Sequence, residues 1–228
     1  MPRVARIVIP GCAHHITQRG NNRQDVFFVA DDRRVYLELL SAQSARWGLD
    51  IHAYALMTNH IHLVVTPRQK HSLARALGRA HYLYTKYVNR LHGRAGHLWQ
   101  NRFFSTPLDD GHLWTALAYV ERNAVRAGLA RKAWEYPWSS AAVHCGQVAA
   151  PPWLETALFE RLLRGREWRE ALAAPQDERT LSLVRQHTLT GRPLGSDSFV
   201  SKIETALGRR IRPLPIGRQK GWRKGIKR

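Results

Sequence analysis

Two apolar runs, Leu49–Met57 and His60–Thr66, flank the dipeptide Thr58-Asn59, and this pattern constrains the fold more than any other stretch of the chain. Both runs have strand length and a turn-forming pair between them, so they read as an antiparallel hairpin. Upstream, Ala13–Gln18 reads as a short strand followed by the turn-like Arg19-Gly20-Asn21-Asn22. Asp31 and Asp32 sit where a helix start is capped, Arg33–Trp47 carries Val35, Leu37, Leu39 and Leu40, and Gly48 supplies a stop. Downstream, Ser72–Leu91 places Leu73, Leu77, Tyr84 and Val88 near one helical face and ends near Gly93. Leu98–Leu108 reads as extended. Asp109 and Asp110 then precede a helix over about His112–Ala127, closed by Gly128.

The resulting order is strand, helix, strand, strand, helix, strand, which predicts an α+β, ferredoxin-like antiparallel sheet with helices on one face and a further helix outside it. Residues 1–150 form the expected catalytic domain. Pro151-Pro152 marks a joint, and residues 151–228 form a helical extension with a basic tail. In it, Trp153–Ala174, Glu178–Thr188 and Ser198–Leu207 read as helices, and Thr190–Gly195 as a loop. From Arg209 to Arg228 there is no acidic residue, and the tail is expected to be flexible when free.

Lys and Arg number 36 against 17 Asp and Glu, a formal charge of +19. A field of that size concentrates polyanions, and nucleic acid is the first expectation. An anionic membrane surface is the rival. No apolar run reaches the roughly 18 residues of a membrane span, and Met1–Arg19 lacks the apolar centre of a signal peptide. Cys12 and Cys145 belong to no CxxC pair, which argues against a zinc ribbon and for a reduced, cytoplasmic protein.

Side chains alternate along a strand, so His60 and His62 share a face while Ile61 points into the opposite layer. Two imidazoles so placed can grip one divalent metal, and the set then needs a third ligand. By itself the pair is a weak signal, and in a chain with twelve histidines the alternative is two ordinary surface or half-buried side chains. A phosphodiester can also be cut by a side-chain oxygen, and a tyrosine beside a Lewis acid suits that step. On a helix, residues four apart share a face. Tyr36, Tyr82, Tyr84 and Tyr87 are followed four residues on by Leu40, Lys86, Val88 and Leu91. Tyr119 is followed by Asn123, whose amide oxygen is an acceptable ligand for Mg²⁺ or Mn²⁺. The other reading has Tyr119 packed in the core and Asn123 capping the helix end.

Several stretches together resemble the REP-associated tyrosine transposases, domesticated relatives of the single-tyrosine HUH transposases of small insertion sequences. They are Pro2-Arg3, His15–Asn22, Met57–Leu63, Gly96–Phe103, Tyr119–Leu129, Trp138-Ser139-Ser140 and the Gly191–Gly195 loop. The resemblance implies a metal-dependent endonuclease and strand transferase acting on single-stranded, hairpin-forming DNA repeats. It makes His60 and His62 the metal ligands with Asn123 as the third, Mg²⁺ or Mn²⁺ the cofactor, and Tyr119 the nucleophile of a 5′-phosphotyrosine intermediate. Relatives often carry Asn-Pro-Val where this chain has Asn123-Ala124-Val125, a change that favours a longer helix.

For DNA contacts the candidates are Arg19, Asn59, Trp99, Gln100 and Arg102, with Trp99 and Phe103 as rings for base stacking; for Phe103, packing against the last strand is preferred. Arg218, Lys220 and Arg223 lie in a Gly-Arg-Gln segment similar to a Gly-Arg-Pro minor-groove arm, with Gln219 in place of the proline; a solvated tail of non-specific affinity is the alternative. Relatives also work as dimers, which puts a homodimer among the arrangements implied. A non-catalytic, hairpin-binding regulator of the same fold is the rival function. A zinc hydrolase is disfavoured for want of an HExxH helix.

Overall fold

The computed structural model describes residues 6–213. Arg218, Lys220 and Arg223 lie outside them. The first strand, β1 (His14–Arg19), leads into helix α1 (Ala30–Trp47). The helix begins one residue before the two aspartates expected to precede it. Asp32 therefore caps backwards, its carboxylate accepting the Phe28 and Val29 amides at 2.7 and 3.0 Å. Gly48 ends α1 in the left-handed region, at φ 63°, as its position predicts. Strands β2 (Leu49–Leu56) and β3 (His60–Pro67) form the expected hairpin, and α2 (Ser72–Leu91) follows.

The fourth strand, β4 (Phe104–Pro107), is much shorter than the extended stretch predicted over Leu98–Leu108. Leu98, Trp99 and Phe103 are buried, but in the helical layer beside α2 rather than in the sheet. Asn101 takes a positive φ of 55° where the segment bends. An isolated bridge, Gly20 with Trp99, pairs it with the chain after β1. The sheet is wholly antiparallel in the order β2-β3-β1-β4, the ferredoxin-like arrangement expected.

Register decides what each face carries. In β3, Ile61, Leu63 and Val65 face α1 and α2, in a core with Ile16, Tyr36, Leu40, Leu77 and Tyr84. Phe27, Tyr36, Tyr84 and Trp99 meet there with ring centroids 5.2–6.0 Å apart, and burying each such ring contributes about 2–3 kcal/mol. The alternate residues face the opposite layer, built on α3 (Asp110–Glu121). Asp109 caps α3, accepting the His112 amide at 2.9 Å.

The single helix predicted over His112–Ala127 breaks at Arg122 and resumes as α4 (Asn123–Arg126). Side chains cause the break. Asn123 Nδ2 donates to the carbonyls of Tyr119 and Val120 at 3.1 and 3.2 Å, and Arg126 donates to the Tyr119 carbonyl at 2.6 Å. These carbonyls would otherwise take the next turn's amides. The alanine after Asn123 therefore does not lengthen α3. After the short α5 (Ala141–His144), the helix predicted over Trp153–Ala174 is two, α6 (Ala157–Leu163) and α7 (Trp168–Ala173). They are parted by Arg164 and Gly165, at φ 36° and 76°. Helices α8 (Glu178–Thr190) and α9 (Asp197–Leu207) complete the described chain.

Phe159, Trp168, Leu172, Leu181, Val184 and Leu194 share one core with α3 and with Ala53, Ala55 and Val64 of the sheet. Glu121, fully buried at the end of α3, anchors this union. Its carboxylate accepts from Ser140 Oγ, from His144 Nδ1 at 2.6 Å and from Trp168 Nε1 at 2.8 Å.

Candidate active site

β1 and β3 pair so that Thr17 lies opposite His62, Arg19 opposite His60 and His15 opposite Val64. Directly paired residues point to one face, so His15, His60 and His62 lie on the face that α3 and α8 cover. Ile61 is fully buried on the other face, as strand alternation requires. The His60 and His62 rings are 5.1 Å apart, edge to face. Tyr119, projecting from α3, packs edge-on against both His62 and His15, with centroids 5.7 and 5.6 Å away. Three residues named from sequence, His60, His62 and Tyr119, thus meet in space, and Asn123 follows one turn after Tyr119 with its amide nitrogen engaged by the helix.

The electrostatics keep the imidazoles uncharged. Burial, reinforced by Arg19, pushes His60 down to about 4. Burial, with His15, His60, Arg126 and Arg19 adding to it, holds His62 well below the ordinary histidine range. His15 is pushed to about 3, first by burial and then by Arg126. Neutral imidazoles keep lone pairs, which is the donor chemistry a divalent ion needs. Among the described residues no cluster of three or more His, Cys, Asp or Glu is placed to hold a metal. His15 spends its Nε2 on His62 Nδ1, 3.0 Å away, rather than converging on a common centre. His60 and His62 keep lone pairs that could serve a divalent ion, and Asn123 is the amide expected beside them, its Nδ2 held by the helix carbonyls.

Three neighbours were not singled out from sequence. His15 stacks on His62 at 5.2 Å and reaches Thr188 Oγ1 of α8 at 3.0 Å. Arg126 lies 4.1 Å above the Tyr119 ring and is tethered to Gln176 Oε1 at 2.6 Å. Burial lowers its guanidinium to about 10, so it stays charged at neutral pH. Strand alternation along β1 was a usable signal for His15, since Arg19 is on the same face. The β1–β3 register that brings it to His62 was not.

The DNA-contact candidates divide. Arg19, Gln100 and Arg102 are exposed. Asn59 is half-buried and both ends of its amide are used within the chain, on the Arg23 carbonyl at 3.0 Å and on His60 Nδ1 at 2.6 Å. Trp99 is corrected outright: it is 8 % exposed and wedged among Tyr36, His81 and Tyr84, so its faces do not reach a base. Phe103 is also buried, under the Arg6 guanidinium 3.6 Å away, in line with the packing reading.

The fold is an α+β antiparallel sheet with a histidine pair on a central strand and a tyrosine on the covering helix. The family model described as "Transposase IS200 like" matches residues 8–123, just over half of the chain, and the chain belongs to that family of transposase enzymes. A solved REP-associated tyrosine transposase, bound to a REP hairpin, matches with a TM-score of 0.54 and 16 % identity, over 69 % of this chain and 93 % of that one; the likeness is one of fold. A candidate transposase from Deinococcus radiodurans aligns at a TM-score of 0.38 and 17 % identity over 53 % of this chain and 97 % of its own, too distant to bear on the argument. No curated protein matches the sequence. Among the described residues no helix is long and apolar enough to cross a membrane.

Proposed function

We propose that this transposase cuts and rejoins single-stranded, hairpin-forming DNA repeats through a covalent bond to Tyr119, in the cytoplasm and on nucleoid DNA. The observation that carries the reading is the Tyr119 ring against His62, with the Arg126 guanidinium over the same ring. In the step proposed, the Tyr119 phenol oxygen bonds to phosphorus as the P–O3′ bond breaks. The phenol gives up its proton, the 3′ oxygen takes one, and a 5′-phosphotyrosine and a 3′-hydroxyl result. The reverse step reseals the strand without ATP, because the phosphodiester's energy is kept in the tyrosyl ester.

His60, His62 and Asn123 would hold a Mg²⁺ or Mn²⁺ ion. When bound, such an ion supplies Lewis-acid polarisation of a scissile phosphate oxygen. Arg126 holds a fixed positive charge over the Tyr119 ring, where it would attract the scissile phosphate to the nucleophile. For the DNA track we favour an open cleft of about 500 Å³ along β4, lined by Arg6, Arg102, Arg192 and Arg210. Phe104, 43 % exposed on that edge strand, is better disposed for base stacking than Trp99.

The test incubates labelled single-stranded DNA carrying a hairpin repeat with the protein, with and without Mn²⁺, and resolves covalent adducts by denaturing electrophoresis. The reading expects an adduct with wild-type protein and Mn²⁺, and binding without adduct for Tyr119→Phe. Wild-type binding with no adduct under any metal condition would favour the non-catalytic hairpin-binding alternative.

A further inference from the structure

Two hydrogen-bonded chains end on the histidine pair, and counting donors and acceptors fixes the proton positions in both. The first starts at the Val184 carbonyl, which accepts from Thr188 Oγ1 at 2.7 Å. A hydroxyl has one hydrogen. With it committed to the carbonyl, Thr188 Oγ1 accepts from His15 Nδ1 at 3.0 Å, so His15 carries its proton on Nδ1. His15 is 1 % exposed and its ring nitrogens meet Thr188 Oγ1 and His62 Nδ1 rather than a carboxylate, surroundings in which an imidazolium is costly. Its Nε2 is therefore bare and accepts from His62 Nδ1 at 3.0 Å. His62 then has its proton on Nδ1 and its lone pair on Nε2.

The second chain reaches the same result independently. The Arg23 carbonyl accepts from Asn59 Nδ2 at 3.0 Å, which settles the orientation of the Asn59 amide. Asn59 Oδ1, an atom that only accepts, meets His60 Nδ1 at 2.6 Å. His60 also carries its proton on Nδ1 and keeps Nε2 bare. Each chain ends on a backbone carbonyl, which cannot reverse its role.

We infer that His15, Thr188 and Asn59 are positioning residues that lock His60 and His62 as Nδ1–H tautomers, presenting two Nε2 lone pairs to a divalent cation. The use of those lone pairs rests on the metal-binding part of the proposed function; the tautomers themselves do not. Locking matters because a neutral histidine free to exchange tautomers offers either nitrogen, whereas an anchored Nδ1–H fixes both the donor atom and the ring plane. It also gives α8 a part in the site. Thr188, far along the chain from the strand hairpin, sets the proton on a histidine it does not touch.

The test is long-range ¹H–¹⁵N correlation on metal-free, histidine-labelled protein at pH 7.5, followed by Mn²⁺ titration. Wild type should show His60 and His62 both protonated at Nδ1. Thr188→Val, near-isosteric but unable to accept from His15, should leave His62 a mixture of tautomers, keep His60 unchanged and weaken Mn²⁺ binding by about tenfold. Thr188→Ser should restore both readouts. Asn59→Asp, which keeps the acceptor oxygen, should keep His60 as Nδ1–H. An Nε2–H signal for His62 in wild type, or Thr188→Val with unchanged tautomers and unchanged Mn²⁺ affinity, would overturn the inference. Should Thr188→Val not fold, Thr188→Ala, which likewise lacks the acceptor, takes its place in both readouts. Tautomers as derived in a protein that binds no Mn²⁺ would refute the metal reading alone.

Discussion

Lowering the pH from 7 to 5 should cost this fold about 4 kcal/mol through His14 and His81 alone, two histidines outside the set proposed to hold metal. His14 is fully buried, its Nδ1 donating to the Cys12 carbonyl at 2.8 Å while its Nε2 accepts from the Ile9 amide at 3.4 Å. His81, 7 % exposed, meets the Tyr36 hydroxyl at 3.0 Å between α1 and α2. Burial pushes His14 to about 4 from an unfolded value of 6.5. Burial, with Arg6 adding to it, pushes His81 to about 3. A histidine with a depressed folded pKa stabilises the fold above its unfolded pKa, and that contribution is lost as pH falls toward the folded value. Each unit between the unfolded pKa and the working pH is worth about 1.4 kcal/mol, so each histidine costs about 2 kcal/mol at pH 5. Carboxylates barely titrate between pH 7 and 5, so the histidines dominate this window. Urea unfolding followed by tryptophan fluorescence at pH 7, 6 and 5 reads the loss. His81→Gln should reduce the loss between pH 7 and pH 5 by about 2 kcal/mol. A stability at pH 5 equal to that at pH 7 would refute the reasoning, since it would mean these imidazoles reach water or a counter-charge.

Two further outcomes follow from named contacts. Glu121→Ala strands the Ser140, His144 and Trp168 donors in the core, and should destabilise the protein by about 3–5 kcal/mol in the same urea assay; a loss under 1 kcal/mol would contradict the anchoring role. Replacing Arg102 and Arg192 together by Gln should reduce the log–log salt slope of single-strand binding by about 1.4, and an unchanged slope would move the DNA track away from the β4 cleft.

What the sequence made legible was local. The β2–β3 hairpin, the shared face of His60 and His62, and the i, i+4 pairing of Tyr119 with Asn123 all follow from periods of two and 3.6 residues. The stops at Gly48 and Gly128 were legible because glycine accepts the left-handed backbone that ends a helix, and Gly165 was an unused signal of the same kind for the break between α6 and α7. What was not legible depended on contacts across the chain. His15 joins the site only because β1 pairs with β3 in one register, and Thr188 only because α8 lies against β1. Trp99 carried the signature of a stacking ring, but the bend at Asn101 turns it into the α1–α2 core. The break in α3 at Arg122 comes from Asn123 and Arg126 competing for helix carbonyls, an effect that helix propensity alone does not contain.

The most direct test of the account is peptide mapping of the protein–DNA adduct. Wild-type protein is incubated with single-stranded hairpin DNA and Mn²⁺, digested with nuclease and protease, and sequenced by mass spectrometry. The account predicts a nucleotide phosphate on Tyr119 and on no other residue, with the adduct lost in Tyr119→Phe and in His62→Ala. A phosphate mapped to another tyrosine, or an adduct of undiminished yield in Tyr119→Phe, would contradict it.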